Sequence, residues 1–331
     1  LFRGTGEHRF DTPRFFGPMA RMNDADSALL RLLEMLRERE YHFITPTPAT
    51  HARVVARPGR ERARGLADIF GWSLPFEREL LDAALLALLE RADVLEEAGS
   101  GLVRSAVRVS WLKGQLFLHS AYPTEDEDAV FFGPDSYRFA DLIEAELARG
   151  CPPGARIVDI GTGSGVGGIV AAGLCPDASV VLTDINPKAL RLARINAAAA
   201  GVQVRCVEGD DLSGVEGAID VALANPPYIM DEGSRAYRDG GEMRGGKVSF
   251  DMTRMAVEKL APGGRVVLYT GSAIARGEDV LRDALEVLAG EHGLDFSYRE
   301  LDPDVFGEEL DQPPYAEIER IAVVGAILTR R

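Results

Sequence analysis

Carboxylates close three apolar runs in the second part of this chain. Asp159 follows "RIV", Asp184 follows "SVVLT", and Asp210 and Asp211 follow "VEG". Between the first two lies "VDIGTGSGVGG", in which Gly161, Thr162, Gly163, Ser164 and Gly165 link a strand-like run to a helix-like one. Glycine at such a junction lets the backbone turn sharply and lets a ligand approach the main-chain N–H groups. Gly163–Gly168 satisfies GxGxxG, and Asp184 follows at the spacing of a ribose-binding acid, so a dinucleotide-dependent oxidoreductase is one reading.

The full set of acids favours a different ligand. Asp184, with Ile185 beside it, has two oxygens for the two hydroxyls of a ribose. Asp210 or Asp211 can accept from the amino group of adenine while a neighbouring N–H meets a ring nitrogen. Asp159, inside its strand end, is placed to face a cation. Four carboxylates around one site repel a pyrophosphate and suit a sulfonium that carries an ammonium group. A third motif, "LANPPYIM" (Leu223–Met230), then places Asn225, Pro226, Pro227 and Tyr228 directly after an apolar run. Proline fixes φ and donates no N–H, so the pair ends a strand and stiffens the loop beyond it.

The elements that must position these groups alternate from Asp135 onward. Periodicity predicts helices over 135–149, 166–174, 187–200, 249–260 and 278–290. Strands are predicted over 155–160, 179–185, 202–208, 218–224 and 264–270, and near 295–301 and 320–329. Runs such as "ARIVDI" and "RVVLYT" suit a doubly wound α/β sheet covered on both faces, which binds ligands beyond the carboxyl ends of its strands. The preceding residues, 1–125, read as a smaller α+β domain, with 126–331 as the sheet domain. A helix is expected over 24–40 behind an Asp or Ser cap, followed by a proline break at "ITPTPATHA". Two helical stretches lie within Leu66–Leu95, and a β-hairpin turns at Lys113-Gly114. Helices followed by a hairpin suggest a winged-helix-like module, with either a docking or a packing role.

Composition narrows the class. The 331 residues are 46% hydrophobic and 27% charged, a globular balance. No run reaches the ~18 apolar residues of a membrane span. "LFRGTGEHRF" lacks the apolar core of a secretory leader and has no initiator Met, which predicts a trimmed natural start. Cys151, Cys175 and Cys206 are far apart and share no metal-binding or disulfide spacing, so no metal and a reducing cytoplasm are expected. A net charge of −15 disfavours a surface that grips nucleic acid, although "HARVVARPGRERAR" (His51–Arg64) carries five arginines and one glutamate. That segment reads either as a solvated face or as a docking surface.

Taken in order, "VDIGTGSG", "LTDIN", "EGDD" and "ANPPY" resemble the motifs of class I S-adenosylmethionine-dependent methyltransferases, over roughly Phe131–Thr329. The resemblance implies a seven-stranded Rossmann-like sheet whose last strand, "ERIAVVGAILTR", runs antiparallel, and S-adenosylmethionine as cofactor. It also assigns a role to the proline motif. Asn225 and the Pro226 carbonyl would hold a planar amino group against the donor, with Pro227 stiffening the loop and Tyr228 stacking on the acceptor. NPPY with Asn resembles the HemK-type protein-(glutamine-N5) methyltransferases, which act on release factors, and "RDGGEMRGGKVSF" (Arg238–Phe250) has that family's glycine-rich stretch, as a mobile cover or a plain loop. Phe131 or Phe132 is a candidate to flank the methyl group. The chain departs from that family in carrying "FFGPDSYRF" where an Arg-Pro-Glu element is usual, and in the hairpin of its first domain. A protein glutamine is thus the expected acceptor, with an RNA or DNA base amino group as the alternative and membranes excluded. The oxidoreductase reading leaves NPPY without a task, and four of the five histidines precede the sheet domain.

Overall fold

The computed structural model describes residues 22–124, 126–230 and 238–331. The amino-terminal stretch considered for a leader and a start residue lies outside these residues. Helix α1 (Asp24–Glu38) buries one stripe, Ala28, Leu29, Leu32, Leu33 and Leu36, and its cap is Asn23 rather than an Asp or Ser. Where two prolines predicted only a break, α2 (Pro48–Val55) forms. Thr47 caps it and Pro48 occupies its first turn, where a preset φ helps and the missing N–H costs nothing. Two short helices follow, α3 (Leu66–Phe70) and α4 (Ala83–Arg91).

Two hairpins then form instead of one. β1 (Leu95–Gly99) pairs with β2 (Leu102–Ser105), and β3 (Val107–Leu112) with β4 (Gln115–Ser120). The second turns at Lys113 and Gly114, both at positive φ, as a two-residue hairpin needs. The first is hidden in sequence because its exposed "LEEAG" has helix-like composition. Its turn is made by Gly99, Ser100 and Gly101, all at positive φ.

The second part contains α5 (Pro134–Leu147), β5 (Arg156–Ile160), α6 (Val166–Leu174), β6 (Ser179–Asp184), α7 (Pro187–Ala200), β7 (Arg205–Glu208) and β8 (Ile219–Ala224). It continues with α8 (Lys247–Lys259), β9 (Leu260–Ile274), α9 (Val280–Glu291), β10 (Leu294–Asp302) and β11 (Arg320–Arg330). The seven strands lie in the order β10-β11-β9-β8-β5-β6-β7. β11 is antiparallel to both neighbours, and the remaining pairs are parallel. The chain winds outward from β5 through β6 and β7, then returns to β8 on the other side of β5. The carboxyl ends of β5 and β8 therefore flank the switch point, where such sheets open a crevice.

Alternation along the strands builds the two layers. Ile157, Val221, Leu223 and Val267 pack with Phe139, Leu142 and Ile143 of α5. Val158, Ile160, Ala222 and Val266 face the opposite way, with Ala256, Val257, Leu281 and Leu285 of α8 and α9. The amino-terminal elements share a core with α7, through Ala189, Leu192, Ile195 and Ala199. Asn196 of α7 fixes this join. Its side chain accepts the Leu118 N–H at 2.8 Å and donates to the carbonyls of Leu118 (3.0 Å) and Ser164 (2.8 Å). One buried amide thus ties β4 to the glycine turn. Among the described residues, no helix is long and apolar enough to cross a membrane.

Candidate active site

The glycine turn leaves β5 at Ile160 and enters α6 at Val166. Gly161, Gly163 and Gly165 all have positive φ, a region that side chains with a Cβ avoid. Gly168 serves packing instead, since a Cβ there would lie 2.1 Å from Leu182 Cδ2. Asp184, at the end of β6, latches the turn. Its carboxylate accepts the Gly163 N–H and the Asn186 N–H, each at 2.9 Å. Burial raises its pKa, while those N–H bonds oppose the rise. Each oxygen keeps a further lone pair for an outside donor. Ile185 beside it is 56% exposed, an apolar face open for a flat ring. Asp210 is exposed at the end of β7 and hydrogen-bonds to none of the described residues. These groups fit a ribose diol, a purine face and an amino group.

Asp159 and Asp211 depart from the expected roles. Asp159 is buried and turned inward, accepting from the Thr162 hydroxyl at 2.5 Å and the Gly168 N–H at 2.8 Å. Burial pushes its pKa up to about 6. It braces the turn from within instead of presenting charge to a ligand. Asp211 accepts the Ser213 N–H at 2.9 Å, a side-chain turn of its own, and the Ser213 hydroxyl together with that N–H holds its pKa low. Thr162 and Ser164 are likewise buried in the turn.

Beyond β8 the proline motif lines a cavity of about 90 Å³, walled by Asn225, Pro226, Pro227, Tyr228 and Ile229 together with Pro48, Phe131, Asp135, Arg238, Phe306 and Glu309. Neither the Asn225 side chain nor the Pro226 carbonyl has a hydrogen-bond partner among the described residues, and both residues line this cavity. Tyr228 does not offer a free ring for stacking. It is 7% exposed, its hydroxyl donates to Asp135, and its ring lies so close over Gly271 that a Cβ there would be 2.1 Å from Tyr228 Cδ2. The glycine-rich stretch after the motif packs against the loop as a clamp. The Ile229 N–H donates to Arg238 O (3.1 Å) and the Gly240 N–H to Ile229 O (2.8 Å), and a Cβ on Gly245 would meet Tyr228 O at 2.3 Å. Of the two phenylalanines, Phe131 reaches the cavity, while Phe132 is buried and stacks on His119.

Sequence reading did not name Pro48, Asp135, Ile229, Phe306 or Glu309 as site residues, and it gave Arg238 only as the start of the glycine-rich stretch. Asp135, in the first turn of α5, is buried and accepts from the Tyr228 and Tyr269 hydroxyls at 2.7 and 2.8 Å; burial raises its pKa. Arg238 pairs with Glu309 at 2.5 Å on the wall, and Phe306 lies 6.1 Å from Tyr228 between ring centroids. The "PD" at the helix start was the only available signal, and it normally marks an exposed acid.

A family model described as "Methyltransferase small domain" matches residues 141–289. The release factor glutamine methyltransferase of Deinococcus radiodurans is 33% identical over 190 residues, covering 53% of this chain and 67% of that protein. Those of Bordetella pertussis and Cereibacter sphaeroides are 34% and 35% identical, covering 40% and 41% of this chain. The matched segments span about half the length of these two relatives, 51% and 52%.

Proposed function

The chain belongs to the family of S-adenosylmethionine-dependent methyltransferases that includes the release factor glutamine methyltransferases, and from that premise we propose that it methylates the side-chain amide nitrogen of a protein glutamine. S-adenosylmethionine supplies an electrophilic methyl group on a sulfonium. In this reading the turn Gly161–Gly165 with Asp184, Ile185 and Asp210 holds it, and the NPPY cavity holds the acceptor.

An amide nitrogen is a poor nucleophile because its lone pair is delocalised into the carbonyl. Asn225 Oδ1 and Pro226 O each accept one N–H of the acceptor, which draws the nitrogen toward a tetrahedral shape. The same two oxygens stabilise the positive charge that grows on it, a preorganised electrostatic effect. Proline at 226 and 227 removes the N–H groups that could turn this loop into a sheet ladder, so its carbonyls stay available. The proton lost by the nitrogen leaves along one of these hydrogen bonds to solvent, with no strong base needed. Around the acceptor, the Pro and Phe walls limit access of water.

The observation that carries this reading is the unengaged amide of Asn225 at the carboxyl end of β8, beside the glycine turn that ends β5. A base-methylating reading would draw on the arginine-rich segment. There, Arg60 pairs with Asp68, Arg62 with Glu77, and Arg64 donates to Gly59 O, while Arg53 and Arg57 form no ion pair with any of the described residues. The test is transfer of labelled methyl into an extract of cells lacking the gene, then separate protease and nuclease digestion. Label released by protease supports a protein acceptor; label released only by nuclease overturns it.

A further inference from the structure

Tyr228 was expected to rest its ring on the acceptor, and the fold turns that side chain to other uses. Its ring is buried over Gly271 and its hydroxyl is bonded to Asp135. Phe306 lines the same cavity. It is half-buried, and its ring centroid lies 6.1 Å from that of Tyr228, with the two planes tilted by 58°.

The backbone at Phe306, on the connection between β10 and β11, is left-handed, at φ 53° and ψ 41°. Such a conformation is rare for a bulky side chain because Cβ crowds the carbonyl oxygen, and Phe306 is the only aromatic residue at positive φ among the described residues. Gly307 follows directly and would take that conformation without crowding. The chain nevertheless holds it one residue earlier, at the residue that lines the cavity. Strain of this kind persists only where neighbouring contacts impose it, and it gathers at ligand clamps.

The contacts that impose it reach the NPPY loop. The Val305 N–H donates to Ile321 O at 2.9 Å, and Phe306 O accepts the Glu309 N–H at 2.8 Å. Glu309 pairs with Arg238 of the glycine-rich stretch at 2.5 Å. The Met230 N–H donates to the Tyr315 hydroxyl at 2.8 Å, and the buried Tyr315 packs with Tyr228 and Ile229. The β10–β11 connection is thus fastened to the loop at two points, with Phe306 carried at the cavity wall.

This wall suits one part of a glutamine side chain. Asn225 and Pro226 supply acceptors for the –NH2 group, and behind the amide come two methylenes that need apolar surface. Phe306 provides it, together with Phe131 and Pro48. A flat base is served less well. Held between two rings, it needs parallel faces about 7 Å apart, two contact distances of ~3.5 Å, and the rings of Tyr228 and Phe306 are neither parallel nor that far apart. We propose, on the glutamine reading above, that Phe306 is a specificity-determining residue whose ring packs on the methylene stem of the acceptor side chain.

The test uses the full-length protein and, as acceptor, the protein that takes up label in the extract, purified. Phe306→Gly removes the ring and relieves the backbone, so it introduces no strain of its own. Its affinity for S-adenosylhomocysteine, measured by calorimetry, should match that of the wild type. KM for the acceptor should rise about tenfold or more, the scale for losing an apolar contact, with kcat changed less. Phe306→Leu keeps an apolar side chain without a ring and should restore most of the lost affinity. If the glycine variant does not fold, Phe306→Asn, which also tolerates this φ, takes its place. An unchanged KM, or a loss confined to kcat, overturns the proposal. So does a leucine variant as impaired as the glycine one, since ring stacking would then be the contact. Failure of the glutamine reading is a separate outcome: the wild type then labels no protein, which removes both, whereas a labelled protein with unaltered KM in the variants removes only the role of Phe306.

Discussion

The Tyr228 hydroxyl donates to Asp135 Oδ2 at 2.7 Å, and Tyr269 donates to the other oxygen of the same carboxylate at 2.8 Å. One buried acid on α5 thus joins the NPPY loop to strand β9. The loop is held from outside by this bond and from beneath by Gly271.

Tyr228→Phe keeps the ring over Gly271 and removes only the hydroxyl. It should lower stability by about 1–2 kcal/mol, because Asp135 loses a buried donor, and reduce kcat less than a change at Asn225. Chemical denaturation and steady-state kinetics on one preparation check both effects. A kcat loss equal to that of Asn225→Ala would instead mark the hydroxyl as a participant in the reaction.

Gly271→Ala adds one methyl group where the Tyr228 ring already lies. The ring must move and the loop with it, so kcat should fall while the affinity for S-adenosylhomocysteine, measured by calorimetry, stays near that of the wild type. Unchanged kcat would show that the loop tolerates displacement.

Donor and acceptor roles separate at Asn225 and Asp184. Asn225→Ala should lower kcat by roughly two powers of ten or more, the scale for losing one preorganised partner of the reacting group, with donor binding little affected. Asp184→Ala should chiefly weaken donor binding. It also releases the N–H groups of Gly163 and Asn186, so the glycine turn loosens at the same time. Equal effects of the two changes on both quantities would contradict the division.

Asp159 predicts a pH signature. Its pKa is raised by burial from the usual 3.8 to about 6, so the folded protein binds this proton more tightly than the unfolded chain. The contribution to stability is complete below pH ~4, is lost as pH rises to ~6, and changes no further above that. At about 1.4 kcal/mol per pH unit of displacement, the loss is about 3 kcal/mol. Asp159→Asn cannot titrate, so the stability of the wild type minus that of the variant should fall across this window. Parallel pH profiles for the two proteins would refute it.

These cases show which parts of the site can be read from sequence. The glycine turn and NPPY were legible because both impose backbone conformations that few residues satisfy. The strands were legible as short apolar runs, and α6 and α7 begin and end where periodicity placed them. Direction was harder to read. Asp159 stands at the expected strand end, yet a linear sequence does not say whether its oxygens meet a ligand or the Thr162 hydroxyl and Gly168 N–H. Asp135, Arg238, Phe306 and Glu309 come together only through the order of strands β8, β9 and β11, and no local pattern joins them. Helix α2 and the β1–β2 hairpin were missed for local reasons, a proline that starts a helix and a glutamate-rich strand with a glycine turn.

The most direct test of the central claim is chemical: a labelled protein product is hydrolysed in strong acid and the fate of the label is followed. A methyl group on a glutamine amide nitrogen leaves as methylamine, with glutamate remaining, and the prediction is labelled methylamine that forms roughly a hundredfold more slowly with Asn225→Ala. Label that stays on an amino acid after complete hydrolysis, or that never enters protein, would contradict it.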